Sequence, residues 1–222
     1  MTLDMRTRQG SSIIQTSEQP LSKPVQPITD KRFIRTEKAF EDALFRLADD
    51  FDINDITIKQ IVTEAGYSRN AFYAHYSGKE QFIDALFCSH ARIIRQILKW
   101  DYHILVSDSA SAERARFDCD LNFFRHVYEN QKFFQLLITD RLISNGIDYL
   151  CEIYFRMYLA DAEYIDTLGE KGRLETNNIE LINYTSMYSY MAMVKWWSNN
   201  HFEYSPSYMA DQKAAMRNQF KV

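Results

Sequence analysis

The chain has 222 residues, 46% of them apolar, which is enough for one large domain or two modest ones with a real hydrophobic core. Its 26 basic and 30 acidic side chains give a net charge of −4, so any polyanion site must be local. The three cysteines form no CxxC or Cys/His pair, which argues against a zinc site and a disulfide framework. No stretch resembles a secretory signal or a membrane span, and we expect a soluble, cytoplasmic protein without membrane contacts.

The first part of the chain predicts a tail and then a helix. Residues 1–30 hold three of the four prolines and no aromatic residue, a composition that predicts a flexible tail. From Lys31 to Phe51 apolar residues recur at steps of three and four, which predicts a helix of about five turns. Acidic residues such as Asp49 and Asp50 are unfavourable at its C-terminus and help to end it.

Residues 57–76 predict two short helices joined by a tight turn. Thr57 is the expected N-cap of the stretch IKQIVTEA, and Gly66 follows with the left-handed conformation that a sharp turn requires. Ser68 is expected to cap a third helix that ends near Tyr76. Two helices at this spacing, with a glycine between them, are typical of a helix-turn-helix.

The rest of the chain predicts only helices. Ser77 and Glu80 predict a capping box for a long helix from Gly78 to about Trp100. Ser, Asn, Gly and Pro residues separate the further predicted helices, which cover 111–129, 131–141, 146–165, 177–200 and 207–220. No alternating strand pattern and no fixed repeat occur, so the expected fold class is all-α.

The third predicted helix has an inner and an outer face. Phe72 and Tyr76 lie four residues apart and are expected to face the core, which leaves Arg69, Asn70 and Tyr73 outside. Arg bonds guanine O6 and N7 and Asn bonds adenine N6 and N7, each through two hydrogen bonds, so this pair suits base readout in the major groove. Tyr73 is placed to donate to a phosphate or to contact a thymine methyl group.

Polar residues on either side of this face are predicted to hold phosphates of the DNA backbone. They are Thr57, Lys59, His75 and Lys79. Residues 57–79 carry three cations and one acid, whereas residues 41–55 carry six acids and one cation. We therefore expect the acidic end of the first helix to face away from a duplex.

The run TIKQIVTEAGYSRNAFYAHYSGKEQF resembles the DNA-binding segment of TetR-type (tetracycline repressor-like) bacterial transcription regulators. Its most specific parts are the start at Thr57, the Ala65-Gly66 pair and the signature Phe72-Tyr73-x-His75-Tyr76-x-x-Lys79. By motif the resemblance covers residues 31–87. One departure is Asp52, in a loop where many members carry Gly or Pro.

The resemblance implies a role for each matching residue. Those expected to contact mainly the DNA backbone are Thr57, Lys59, Tyr73, His75 and Lys79. Arg69 and Asn70 lie where base readers usually lie. The implied domains are a tail at 1–30, a helix-turn-helix DNA-binding domain at 31–87 with its motif at about 57–76, and a helical effector-binding domain at 88–222. The last two long helices, 177–200 and 207–220, are then the dimerisation helices.

The C-terminal half is rich in aromatic residues, most of which helical spacing assigns to the core. A ligand cavity would require some tyrosine hydroxyls, and His126, to point into an apolar space between helices. The candidates for contact with a ligand are Phe124, Tyr128, Tyr154, Tyr158 and Tyr188. Three methionines, Met187, Met191 and Met193, suit either a pocket or a dimer interface, and the sequence does not separate these alternatives.

These features predict a homodimeric DNA-binding regulator, a repressor that a small-molecule effector releases from a pseudo-palindromic operator with half-sites ~34–36 Å apart or a multiple. No cofactor and no metal are expected. An enzyme is the weaker class, because the chain has no nucleophile elbow, Walker loop, dinucleotide fingerprint or HExxH helix. Two alternatives remain open: a helical protein-interaction module whose helix-turn-helix no longer binds DNA, and an enzyme acting on a hydrophobic small molecule.

Overall fold

The computed structural model describes residues 31–98, 109–167 and 179–219, and within these ranges the chain is helical and has no strand. The helices there are α1 (Lys31–Asp50), α2 (Ile58–Ala65), α3 (Arg69–His75), α4 (Lys79–Ile97), α5 (Ala110–Glu129), α6 (Gln131–Ile138), α7 (Gly146–Thr167), α8 (Ile179–Asn199) and α9 (Pro206–Gln219). None of them combines the length and apolar character that crossing a membrane requires. The predicted tail, Trp100 and the outermost ends of the last two predicted helices lie outside the described residues.

The N-terminal helices α1 to α3 and the start of α4 pack around a cluster of aromatic rings. The Phe72 ring of α3 lies 5.3 Å from Phe40 of α1 and 5.7 Å from Phe82 of α4, both in edge-on geometry. Tyr76 lies 4.9 Å from Phe82 and donates from its hydroxyl to Glu37 Oε1 at 3.4 Å. Since Phe72 and Tyr76 are both buried, their predicted inward orientation is confirmed.

The turn between α2 and α3 follows from three residues that the sequence marks. Thr57 caps α2 in a capping box with Gln60. Gly66 has φ of 73°, and its N–H and that of Tyr67 donate to the last carbonyls of α2. The Ser68 hydroxyl then accepts from the N–H of Ala71 at 3.1 Å. The two helices are thereby held in a helix-turn-helix.

Two helix ends differ from the sequence prediction. The predicted Ser77–Glu80 capping box is wrong, because α4 has Gly78 as its N-cap and the Ser77 N–H donates instead to Gln81 Oε1 at 2.5 Å. The helix predicted over 131–141 ends at Ile138. Its end is fixed by Asp140, which has a φ of 53°, so that the chain leaves the helix there.

The C-terminal body is a bundle in which α4 packs against α5 and α7, α5 packs against α9, and α6 packs against α8. Its core is built from large side chains that are fully buried, including Phe123, Phe124, Phe133, Phe134, Tyr190 and Trp197. Because α4 begins beside α3 and continues into this bundle, it connects the two parts of the molecule.

Candidate nucleic-acid interface

The outer face of α3 presents polar side chains that are free to meet a ligand. Arg69 and Asn70 are exposed, and neither forms a hydrogen bond or an ion pair with another described residue. Tyr73 is 54% exposed, and its ring contacts Phe72 edge-on at 5.9 Å. The buried face of α3 therefore holds the helix in place while three hydrogen-bonding side chains point outward.

The first turn of α2, a helix that packs against α3, carries one exposed cation. Lys59 is exposed and forms no ion pair with another described residue. The Thr57 hydroxyl donates to Gln60 Oε1 at 2.7 Å and accepts from the Gln60 N–H at 3.3 Å. Thr57 is thus engaged in capping, and the first amides of α2 and the Lys59 ammonium are the groups left for an anion.

Lys79 faces inward, towards the loop between α1 and α2. Its Nζ donates to the carbonyl oxygens of Ile53 at 2.9 Å, Asn54 at 2.8 Å and Ile56 at 2.9 Å. An ammonium group has three N–H bonds, so all of them are used. This geometry argues against the predicted phosphate contact and indicates that Lys79 holds the loop that precedes α2.

His75 is also turned away from the outer face of α3. Its side chain is 7% exposed, and its ring stacks on Phe33 of α1 with centroids 3.7 Å apart. Its Nδ1 lies 3.6 Å from Glu37 Oε1, beyond hydrogen-bond distance, and is buried without a hydrogen-bond partner among the residues that the structure describes. The predicted phosphate contact has no support in this position, where the ring packs between α1 and α3.

The single acid of residues 57–79 is neutralised within the N-terminal part. Arg46 Nε of α1 lies 2.5 Å from Glu64 Oε1 of α2, and its Nη2 donates to the Glu64 carbonyl at 3.4 Å. Glu64 is the single acid in residues 57–79, so the remaining charge of that segment is positive. The pairing was not visible in the sequence, because the two residues are 18 positions apart.

The first two ligand candidates belong to the packing between α5 and α8. Phe124 is fully buried, with its ring edge-on to Trp197 at 5.9 Å. Tyr128 is 44% exposed and stacks on the other side of the cluster, also 5.9 Å from Trp197. Both side chains therefore support the core at this end of the body.

The other three candidates lie on α7 and α8. Tyr154 is buried, and burial raises its pKa to about 12. Tyr158 lies under the guanidinium of Arg95, whose Cζ is 5.2 Å from the ring centroid. The Tyr188 hydroxyl donates to Asp148 Oδ1 at 3.0 Å. The five candidates thus divide into two groups, and none of them lines either of two grooves on the surface of the described part of the chain.

One of these grooves lies between α8 and α9 and has a volume of about 380 Å³. It is lined by exposed apolar side chains, among them Trp196, Tyr208 and Met216. Met193 contributes to its lining and, like Met187 and Met191, is buried. The three methionines therefore belong to the core, and one of them also borders the groove.

Two buried polar clusters were not predicted from the sequence. His126, which a ligand cavity would require to point into an apolar space, pairs with His90 of α4. Asp120 of α5 accepts hydrogen bonds from Tyr190 of α8 and from Arg217 of α9, the latter at 2.5 Å. Long sequence separations hide such pairs. Within the three described ranges, no group of three or more His, Cys, Asp or Glu residues is placed to bind a metal.

Comparison with protein families gives two matches along the chain. Residues 42–86 match the model of bacterial regulatory proteins of the tetR family, and residues 119–219 match the model of a transcriptional regulator C-terminal region. No curated protein matches the sequence.

Solved structures share the fold. A putative TetR-family transcriptional regulator from Syntrophomonas wolfei str. Goettingen has a TM-score of 0.59 and 13% identity over 85% of this chain and 95% of its own. The fatty acid degradation regulator FadR from Bacillus halodurans has a TM-score of 0.56 and 14% identity over 84% of this chain and 94% of its own. At these identities the likeness concerns the fold.

Proposed function

Since the chain belongs to the TetR family of bacterial regulatory proteins, we propose that it is a cytoplasmic repressor that binds a pseudo-palindromic operator as a homodimer and is released by a small-molecule effector. Regulators of this family are generally not enzymes and act by binding. We divide the chain into a DNA-binding domain at 31–87 and an effector-binding and dimerisation domain at 88–222.

The observation that carries the proposal is the two-sided character of α3. Its Phe72 is buried in the aromatic cluster, while Arg69 and Asn70 are exposed without partners among the described residues. Side chains that read base edges must be free of other contacts and must project from a helix that is fixed from behind. We assign base readout to Arg69 and Asn70, and contact with a base or phosphate to Tyr73.

Phosphate contacts are assigned to the N-terminal end of α2. Lys59 supplies a positive charge there, and Thr57 fixes the first turn, whose free amides favour an anion. His75 and Lys79 support the same interface without contacting DNA. His75 packs α3 against α1, and Lys79 holds the loop that precedes α2. A small number of phosphate contacts then fixes the position of the protein on the duplex.

We assign dimerisation to α8 and α9. Trp196 is 47% exposed and Met216 is 45% exposed along the groove that these helices form, an arrangement that leaves apolar surface for a second copy to cover. Two α3 helices related by a twofold axis would then meet successive major grooves, whereas a single α3 offers too few contacts for strong discrimination.

The effector is assigned to the body, with Tyr154, Tyr158 and Tyr188 as candidates, of which Tyr158 contacts α4. Arg95 of α4 lies over Tyr158, so a ligand that moves this ring acts directly on the helix that reaches the DNA-binding domain. Such a ligand shifts the equilibrium only by its different affinity for the two states, typically ~1–3 kcal/mol.

The test is a gel-shift titration with the purified protein and duplexes from upstream of its own gene, at several salt concentrations. We expect a complex whose affinity falls steeply with salt and whose footprint has twofold symmetry. Binding to a protein partner with no binding to any duplex at low salt would favour the interaction module instead. Turnover of a hydrophobic small molecule without DNA would favour an enzyme.

A further inference from the structure

The C-terminus of α1 is held by two side chains that come from the other domain. Arg141, in the turn after α6, donates to the carbonyl oxygen of Ala48. Lys132, in the first turn of α6, forms an ion pair with Asp49. We call Lys132 and Arg141 the α1 latch. The acidic end of α1, which the sequence marked only as facing away from DNA, is thus a contact surface for the body.

The chemistry of these contacts suits the end of a helix. The last carbonyls of an α-helix have no partner within the helix and carry the negative end of its dipole. Ala48 is one of these residues, and the acids around it add to the negative charge. Two cations from outside the helix therefore offset a charge that α1 does not itself compensate.

The polar contacts at this junction lie beside a groove that is open to solvent, although Phe45 and Ala48 of α1 are themselves buried. This groove of about 270 Å³ lies between α1 and α6 and is lined by residues that include Phe45, Asp49 and Lys132. A junction that contains a groove resists rotation less than a close-packed one. The orientation of α1 relative to the body then depends on the latch, together with the continuous helix α4.

The helix that carries the latch is packed firmly into the body. Phe133 of α6 stacks on His90 of α4 with centroids 3.7 Å apart, and it contacts Phe87 at 5.5 Å. Phe134 lies edge-on to His126 of α5 at 5.9 Å. A change in the packing of α4 or α5 therefore moves α6, and with it the two cations that hold α1.

We propose that Lys132 and Arg141 are positioning residues for DNA recognition: they fix the angle of the DNA-binding domain, so that the two α3 helices of a dimer meet their half-sites in register. This inference rests on the proposed function. Neither residue touches DNA. Loss of the latch loosens the domain, and binding to two half-sites must then restrict its motion, which lowers affinity.

The experiment compares a full site with a half-site. The wild-type protein selects a duplex from a random-sequence pool, and fluorescence anisotropy gives the Kd for this duplex and for a version with one half-site scrambled. Arg141→Met and Lys132→Met are each expected to raise the Kd of the full duplex about fivefold, at the low end of typical coupling. The Kd of the half-site duplex should stay within about twofold, because α3 itself is unchanged.

Two controls separate positioning from charge and from folding. Arg114→Met removes one exposed cation of α5, whose Nε is 3.4 Å from Asp118 Oδ1, and should leave both Kd values unchanged. The double variant Asp49→Lys/Lys132→Asp exchanges the two charges and keeps the net charge. It should restore the wild-type Kd for the full duplex, whereas each single substitution alone should not. Circular dichroism melts, and half-site binding itself, show that each variant is folded.

Failure of the positioning role and failure of the proposed function would give different results. If both latch variants bind the full duplex as tightly as the wild type or more tightly, or weaken full-site and half-site binding by the same factor, the positioning role is wrong while the proposed function stands. If the wild-type protein selects no duplex, the proposed function fails, and the positioning role fails with it.

Discussion

His90 Nδ1 lies 3.1 Å from His126 Nε2, and this contact joins α4 to α5 inside the body. Both side chains are buried, and His90 also stacks on Phe133. Burial lowers the pKa of His90 to about 3, with smaller contributions from His126 and Lys38. Burial alone lowers the pKa of His126 to about 4. The pair is therefore neutral at pH 7 and is joined by one shared N–H.

This pair predicts a loss of stability in mild acid. An unfolded histidine has a pKa near 6.5, so between about pH 6.5 and pH 4 the unfolded chain binds protons that the folded chain does not. The contribution of the pair is therefore complete above pH 6.5 and falls as the pH decreases. We expect the free energy of unfolding, measured with urea, to drop by about 2–4 kcal/mol between pH 7 and pH 5.

The comparison is with the double variant His90→Leu/His126→Leu, in which neither side chain titrates. Its free energy of unfolding should change less over the same range. A double variant with the same pH slope as the wild type would show that other groups cause the loss.

Replacement of Gly66 should lower stability through the backbone conformation and not through packing. Its φ is 73°, and a Cβ at this position would meet no atom within 4 Å. Gly66→Ala should lower the free energy of unfolding by about 1–2 kcal/mol, because only the left-handed conformation is penalised. Gly78, equally uncrowded but with an extended φ of −175°, is the matched control. Gly78→Ala should cost less, about 0.5 kcal/mol in the same urea titration, because alanine is a poorer N-cap for α4 than glycine, and equal losses at both glycines would contradict this explanation.

The contacts of Lys79 indicate that its replacement lowers the stability of the protein, whereas the sequence predicted that it would weaken phosphate binding. Lys79→Met removes three hydrogen bonds to carbonyl oxygens of the loop before α2. We expect the free energy of unfolding to fall by about 1–3 kcal/mol. Lys59→Met, at an exposed lysine, should stay within about 0.5 kcal/mol of the wild type. If the two variants were equally stable, the bonds to the loop would be unimportant.

Local signals predicted the helix-turn-helix well. Thr57, Gly66 and Ser68 act through neighbours within a few positions, so capping rules were sufficient to place α2, the turn and α3. The alternation of buried Phe72 and exposed Tyr73 likewise follows from helical period alone.

Contacts between residues that lie far apart along the chain could not be predicted. Lys79 turns inward because carbonyls about 25 positions earlier surround it, and His75 because Phe33 offers a ring to stack on. Nothing near Asp49 in the sequence indicates that Lys132 pairs with it. In the C-terminal body, the helical period predicts which tyrosines face the interior. It does not show whether such a tyrosine packs against another aromatic side chain or contacts a ligand.

If α3 reads bases while the first turn of α2 contacts the DNA backbone, an α3 variant and an α2 variant should respond differently to two duplexes. On the duplex that the wild type selects, Arg69→Ala should cost about 1–3 kcal/mol per half-site, with little change on a scrambled duplex. Lys59→Ala should weaken binding to both duplexes alike and reduce the salt slope by about one per subunit. If Arg69→Ala weakens binding to both duplexes equally, or to neither, α3 does not read the sequence of the DNA.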